Sequence, residues 1–146
     1  MKKSIFLVVV SLVFLSVNSH ARDEVGSYSI QEALSLEQAK TTVGNQIKFY
    51  FGDARHGAVE KKFGEFKTNK KTNAFNKTDE AACQWAFFSA LVALRDRALR
   101  EGGNAVVNIK SNYKSNLVSD NKTFRCGAGK VVAGVALVGD VVKLKD

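Results

Sequence analysis

Residues 78–103, TDEAACQWAFFSALVALRDRALREGG, predict one long helix. Thr78 can accept a backbone hydrogen bond at its start, and the two acidic residues that follow place negative charge where the helix dipole favours it. No glycine follows until Gly102, which can adopt the left-handed conformation that ends many helices. The stretch therefore predicts a helix from Asp79 to about Arg100.

Apolar residues recur along this helix at helical spacing. They form a stripe, and further apolar residues widen it, so we expect the helix to be buried in the core of the protein. The stripe consists of Cys83, Phe87, Leu91, Leu94 and Ala98, and it is widened by Trp85, Phe88, Val92 and Leu99.

The chain before this helix carries weaker signals. Ser29 and Glu32 form a capping-box pattern that predicts a short helix, and residues 37–42 either continue this helix or form another turn. Alternating apolar residues over 47–51 predict a half-buried strand. Residues 59–67 have no clean apolar face, because their two phenylalanines differ in parity, and we interpret them as at most a twisted hairpin strand.

The chain after this helix predicts mainly strands. Residues 105–113 alternate, with Ala105, Val107 and Ile109 on the apolar side and Val106 on the opposite, wet side. A polar loop over 114–122 follows, and the valine-rich run over 130–144 predicts two strands or one long bent strand.

This order of elements predicts the fold class. Helices and strands do not repeat as βαβ units, so an α+β domain is expected, with an antiparallel sheet packed by the one long helix. A chain of this length fits one domain, which we place at residues 22–146.

The N-terminus predicts export. Two lysines precede an apolar segment over 5–17, and Ser19-His20-Ala21 matches a signal-peptidase site, so residues 1–21 are expected to be a signal peptide cleaved near Ala21-Arg22. The alternative is a membrane anchor, but a segment of 13 residues is too short to cross a bilayer, which takes about 20 apolar residues. A soluble periplasmic or secreted protein without a transmembrane anchor is therefore expected.

The expected location outside the cytoplasm bears on whether the two cysteines, Cys83 and Cys126, are bonded. Outside the cytoplasm an even cysteine count favours a disulfide, and the alternative is two unpaired buried thiols. The bridge would join the first turns of the long helix to the entrance of the C-terminal strands. Neither cysteine follows the cleavage site directly, so lipid attachment is not expected.

Four stretches carry a family resemblance: KKTN at 70–73, DEAACQWA at 79–86, GNAVV at 103–107 and CGAGKVVAGVAL at 126–137. They resemble a family of small exported bacterial proteins that often carries the label "excinuclease ATPase subunit". The arrangement of helix and strands is more distantly similar to YbjQ-like domains and to the RcsF outer-membrane stress-sensor lipoprotein. These likenesses imply an envelope location and a role in envelope homeostasis or stress sensing.

Catalytic and cofactor chemistry has little support in the sequence. A phosphate-binding loop would need a serine or threonine after Lys130 and a glycine where Phe124 stands. Beyond the predicted signal peptide His56 is the only histidine, which argues against a catalytic triad and against a zinc site. We therefore predict no catalytic, cofactor-binding or metal-binding residues, and no cofactor.

Charge gives the one candidate binding site. Loss of Lys2 and Lys3 with the signal peptide lowers the formal charge from +8 to +6, which favours anionic partners such as an envelope surface. Lysines interleaved with phenylalanines predict either a polyanion-binding surface or a solvated hairpin. These lysines are Lys61, Lys62, Lys67, Lys70, Lys71 and Lys77.

The sequence favours a non-enzymatic envelope protein that binds an anionic surface or another envelope protein. Nucleic acid is not an expected partner, because the chain is predicted to leave the cytoplasm. Two alternatives stay open. One is an enzyme whose site is not recognisable from sequence, and the other is a structural homo-oligomer, as the likeness to YbjQ-like domains implies.

Overall fold

The computed structural model of the protein describes residues 24–146, so the predicted signal peptide lies outside the described residues. Within them, three helices and seven strands follow one another along the chain. They are β1 (Glu24–Ser29), α1 (Ile30–Ser35), α2 (Glu37–Thr42), β2 (Lys48–Phe51), β3 (Val59–Asn73), α3 (Asp79–Glu101), β4 (Ala105–Tyr113), β5 (Asn116–Val118), β6 (Thr123–Ala128) and β7 (Val132–Leu144).

The described strands form one sheet, organised around the long strand β7. One edge of β7 pairs with β3 along its whole length, and the other edge pairs first with β6 and then with β4. β1 extends the sheet beyond β6, and β2 and β5 extend it beyond β4. All pairs are antiparallel except β2 with β4. The predicted α+β class is confirmed. The sheet also contains one parallel pair, which the sequence did not predict.

Helix α3 begins and ends where the sequence predicts. The Thr78 hydroxyl accepts from the Ala81 N–H at 3.1 Å, and Gly102 adopts a left-handed conformation with φ of 85°. The helix packs across one face of the sheet, mainly on β7 and β3. Trp85 and Leu99, however, are exposed at 38% and 46%, so the buried stripe is narrower than predicted.

A disulfide attaches α3 to the sheet, as predicted. Cys83 in α3 and Cys126 in β6 are bonded, their Cα atoms lie 5.8 Å apart, and both residues are fully buried. Beside the bond, the rings of Phe87 and Phe124 stack with centroids 4.0 Å apart. A covalent link and an aromatic stack thus fix the same part of the helix on the same strand.

Residues 59–67 form a strand, as predicted, but not one arm of a hairpin, so that part of the prediction is wrong. They form the first part of the 15-residue strand β3, which pairs with the C-terminal strand β7. Register shifts between Val59 and Lys61 and between Lys62 and Gly64 break the alternation. Because of these bulges, both Phe63 and Phe66 pack against the main core despite their different parity.

β4 also departs from its predicted alternation. A register shift lies between Val107 and Lys110, and Asn108 within it has a φ of 53°. Val106, predicted to face water, is fully buried in the main core, whereas Ala105 and Val107 belong to a second, smaller core. This second core lies on the sheet face opposite α3, hereafter the far face.

We expect the disulfide to stabilise the fold substantially. The bond joins residues 43 positions apart, and the chain-entropy model gives about 4 kcal/mol for a loop of this length. The double variant Cys83→Ala/Cys126→Ala should therefore unfold at lower denaturant concentration than the oxidised protein. Urea titrations of both proteins measure the difference, and equal midpoints would contradict this account.

A carboxylate fixes the turn between β5 and β6. Asp120 accepts hydrogen bonds from the Lys122 N–H at 2.8 Å, the Thr123 hydroxyl at 2.8 Å and the Thr123 N–H at 3.3 Å. The Lys122 backbone bond and then the Thr123 hydroxyl lower the pKa of Asp120, because both stabilise its charged form. The Lys122 carbonyl in turn accepts from the Ile30 N–H at the start of α1.

Because the pKa of Asp120 is lowered, its contribution to the free energy of unfolding should depend on pH. Asp120 should stabilise the fold above the ordinary carboxyl pKa, and this contribution should be lost as the pH falls through the lowered value. Asp120→Ala should cost about 1 kcal/mol at neutral pH and progressively less in acid. Urea titrations across pH measure this, with Asp146→Ala as a control, and a loss that does not vary with pH would contradict it.

Candidate functional site

The six lysines predicted to bind polyanions do not form one surface. Lys67 and Lys71 lie opposite Val138 and Gly134 of β7, on the far face. Lys70 lies opposite Val135, on the face that carries α3. The β3 strand therefore divides the run between the two faces of the sheet.

The other three lysines are dispersed further. The Nζ atom of Lys61 lies 5.1 Å from the centre of the Phe63 ring, and Lys62 lies opposite Val142 on the far face. Lys77 belongs to the β3–α3 loop, where its Nζ atom donates to the Asn73 carbonyl at 3.0 Å. Since β3 pairs with no other described strand than β7, its charged side chains also protect a free sheet edge from unwanted pairing.

Lys70 belongs to a pocket that the sequence did not predict. The pocket lies between β3 and the C-terminal half of α3 and has a volume of about 270 Å³. Its lining includes Thr68 and four basic residues. Lys70 of β3 and Arg97 and Arg100 of α3 lie on the face that carries α3, whereas Lys67 borders the pocket from a register position on the far face. We call it the basic pocket.

Arg97 is held in position at this pocket. Its guanidinium carbon lies 4.0 Å from the centre of the Phe66 ring, and its Nε atom donates to the Glu101 carboxylate at 2.9 Å. The stacking and the ion pair orient the guanidinium plane. Glu101 neutralises part of its charge, so Lys70 and Arg100 supply most of the net positive charge of the pocket.

Thr68 is the unusual residue of the pocket. It is more than nine-tenths buried, and its hydroxyl oxygen has no hydrogen-bond partner within residues 24–146. A buried hydroxyl without a partner costs about 1–3 kcal/mol. Because this oxygen has almost no accessible surface, the cost falls on the folded chain, and the cations of the pocket are the groups that a ligand can reach.

A second concavity lies on the far face. This cleft has a volume of about 380 Å³, and its polar residues are His56, Lys62, Glu65, Asn108 and Asp140, above a floor of valines. The Asn108 side-chain amide donates to the Asp140 carboxylate at 3.3 Å. The bulges of β3 and β4 both border this cleft. Regular strand alternation therefore could not predict the cleft.

His56 contacts neighbouring residues in this cleft. Its ring packs edge-on against Tyr50 with centroids 5.6 Å apart, and Nδ1 lies 2.8 Å from the Gly57 carbonyl, to which it can donate.

Among residues 24–146, no three histidine, cysteine or acidic side chains are grouped to hold a metal ion. None of the helices in this part of the chain is long and apolar enough to span a membrane.

The arginines of the basic pocket are the residues that sequence reasoning missed. They occupy the end of α3, where charged residues are expected simply to face solvent. A signal was present, because Arg97 and Arg100 are three residues apart and therefore share one side of a helix. The sequence did not indicate that β3 packs beside that side of the helix.

The protein is thus an α+β domain with a buried disulfide and a basic pocket between its edge strand and its long helix. Comparison with known proteins gives no match among family models, curated proteins or solved structures. The resemblance to the small exported family remains a prediction from the residues quoted for it.

Removal of the Thr68 hydroxyl should stabilise the free protein. Thr68→Val preserves the shape of the side chain and removes the unpartnered group, so the free energy of unfolding should rise by about 1 kcal/mol. Ser111→Ala is the matched control, because the buried Ser111 hydroxyl accepts from the Arg125 N–H at 2.9 Å.

The control variant should be destabilised by about 1 kcal/mol or more, since it leaves that N–H without a partner. Urea titrations of both variants measure the two effects. A Thr68→Val protein destabilised as much as Ser111→Ala would show that the Thr68 hydroxyl serves the fold.

Proposed function

We propose that this protein is an exported, non-enzymatic envelope protein that binds an anionic group of phosphate or carboxylate type in the basic pocket. The observation that carries this proposal is the convergence of Lys70, Arg97 and Arg100 on one pocket between β3 and α3. Guanidinium and ammonium groups recognise phosphates and carboxylates.

The compartment is part of the proposal. The predicted signal peptide directs the chain out of the cytoplasm, and a buried disulfide fits an oxidising compartment. Envelope polymers outside the cytoplasm carry phosphate and carboxylate groups. The positive charge of the chain therefore favours approach to such material before the pocket is occupied.

The geometry favours binding over catalysis. The basic pocket offers three cations, and the acidic residue that bonds Arg97, Glu101, is engaged in that ion pair. In the far-face cleft, Asn108 donates to Asp140 and the His56 Nδ1 atom lies 2.8 Å from the Gly57 carbonyl, so both groups have structural partners. The binding of an anion requires only hydrogen-bond donors and charges held in place, and the basic pocket supplies these.

The test compares charge-matched variants on phosphate-bearing and carboxylate-bearing resins. Lys70→Gln/Arg100→Gln removes two cations of the pocket and leaves the stacked Arg97 in place. Lys48→Gln/Lys122→Gln makes the same charge change on β2 and in the β5–β6 turn, away from β3. Retention on phosphocellulose and on carboxymethyl-cellulose, measured against salt, reports the binding of each protein.

We expect the pocket variant to bind roughly five to thirty times more weakly than the wild type, because two exposed charge contacts contribute about 1–2 kcal/mol together. The control variant should lose much less, and all proteins should elute earlier as salt increases. Equal losses for both variants would show that only net charge matters, and would contradict a site at the pocket.

A further inference from the structure

A second surface of the protein carries exposed apolar side chains. Phe75 is exposed at 63%, Val131 at 61% and Val132 at 46%. Phe75 lies in the β3–α3 loop, and the two valines lie where the β6–β7 turn enters β7. We call these three residues the apolar tip.

Backbone hydrogen bonds hold the two segments of the tip together. The Ala74 N–H donates to the Val131 carbonyl at 2.7 Å, and the Gly129 N–H donates to the Val132 carbonyl at 2.9 Å. Asn73 and Val132 are register partners in the β3–β7 ladder. The apolar tip is therefore one continuous end of the sheet, formed by residues from two loops.

The tip is fixed in its exposed arrangement. The Asn73 side-chain oxygen accepts from the Phe75 N–H at 2.8 Å, and the Lys77 N–H donates to the Ala74 carbonyl at 3.1 Å. The residue between Phe75 and Lys77, Asn76, has a φ of 56°. This turn is ordered by its own hydrogen bonds, so the exposure of Phe75 does not arise from a loose loop.

Three lysines lie near the tip in the chain and in the strand register. Lys77 and Lys130 belong to the same two loops, and Lys71 lies opposite Gly134 near the start of β7. The acidic residues nearest in the chain are Asp79 and Glu80, in the first turn of α3, and Glu24 of β1 lies opposite Ala128 at the same end of the sheet. Exposed apolar side chains flanked by lysines are a combination that binds the surface of a bilayer containing anionic lipids.

The chain also enters the domain at this end. Glu24, the first described residue, pairs with Ala128, which directly precedes the β6–β7 turn, and Val25 beside it is exposed at 49%. The N-terminal end of β1 therefore adds an exposed valine beside the apolar tip.

We infer that the apolar tip docks the folded protein on a membrane surface rich in anionic phospholipid. Phe75 and Val131 would enter the boundary between headgroups and acyl chains, and the neighbouring lysines would contact lipid phosphates. A protein partner is less well matched, because a stable interface buries about 800 Å² on each side, and three side chains on two loops offer much less.

This docking is independent of the basic pocket, which lies between β3 and the C-terminal half of α3. The experiment uses the protein as recovered after export, with its disulfide intact. Cosedimentation with vesicles of phosphatidylglycerol and phosphatidylethanolamine, and with vesicles of phosphatidylcholine alone, measures the partition coefficient. Binding to the anionic vesicles that weakens as salt increases is expected.

The variants separate the tip from general hydrophobicity. Phe75→Ser/Val131→Ser should lower the partition coefficient about tenfold or more, and Lys77→Gln/Lys130→Gln should lower it by a similar factor. Leu99→Ser/Leu117→Ser removes exposed apolar side chains elsewhere, at 46% and 60% exposure, and should change it less than about twofold. Lys70→Gln/Arg100→Gln should retain vesicle binding even if it loses retention on the resins.

Three outcomes would overturn the inference. Equal vesicle binding by the tip variant and the wild type would show that the tip does not contact lipid. Loss of vesicle binding in the pocket variant alone would assign the headgroups to the basic pocket. Self-association that disappears in the tip variant, with no vesicle binding by the wild type, would make the tip an interface between copies of this chain.

Discussion

The pairing of β7 with three other strands is the constraint on which the rest of the structure depends. β3 runs along one edge of β7, and β6 and β4 share the other edge. Alternate side chains of β7, including Val135, Leu137 and Val141, form the floor on which α3 packs. Every large element of the domain is thus positioned by one valine-rich strand, whose partners come from distant parts of the sequence.

Both proposed surfaces follow from the long β3–β7 ladder. At its middle, β3 lies beside the C-terminal half of α3 and forms the basic pocket with it. At its end, the Ala74–Val131 hydrogen bond joins two loops into the apolar tip. One strand pair therefore supports the proposed anion-binding pocket and the proposed membrane-docking end at different places.

Sequence reasoning succeeded where local chemistry decides the structure. The caps of α3 and the cysteine pair depend on residue type and compartment, so they could be predicted. It failed at the bulges around Lys62 and Asn108, where an extra residue reverses the side-chain alternation. The short first strand and β5 were also missed, because each is stabilised by a neighbouring strand rather than by its own pattern.

The sequence by itself determined the α+β class, the ends of α3 and the Cys83–Cys126 bond, because these follow from hydrogen-bonding capacity, glycine conformation and an even cysteine count. Tertiary structure alone decided which charges act together. Lys70 and Lys71 are adjacent in the chain but lie on opposite faces of the sheet, whereas Lys70 and Arg97 come from different elements and share a pocket. Strand alternation separates neighbours, and long-range packing joins residues that no local pattern connects.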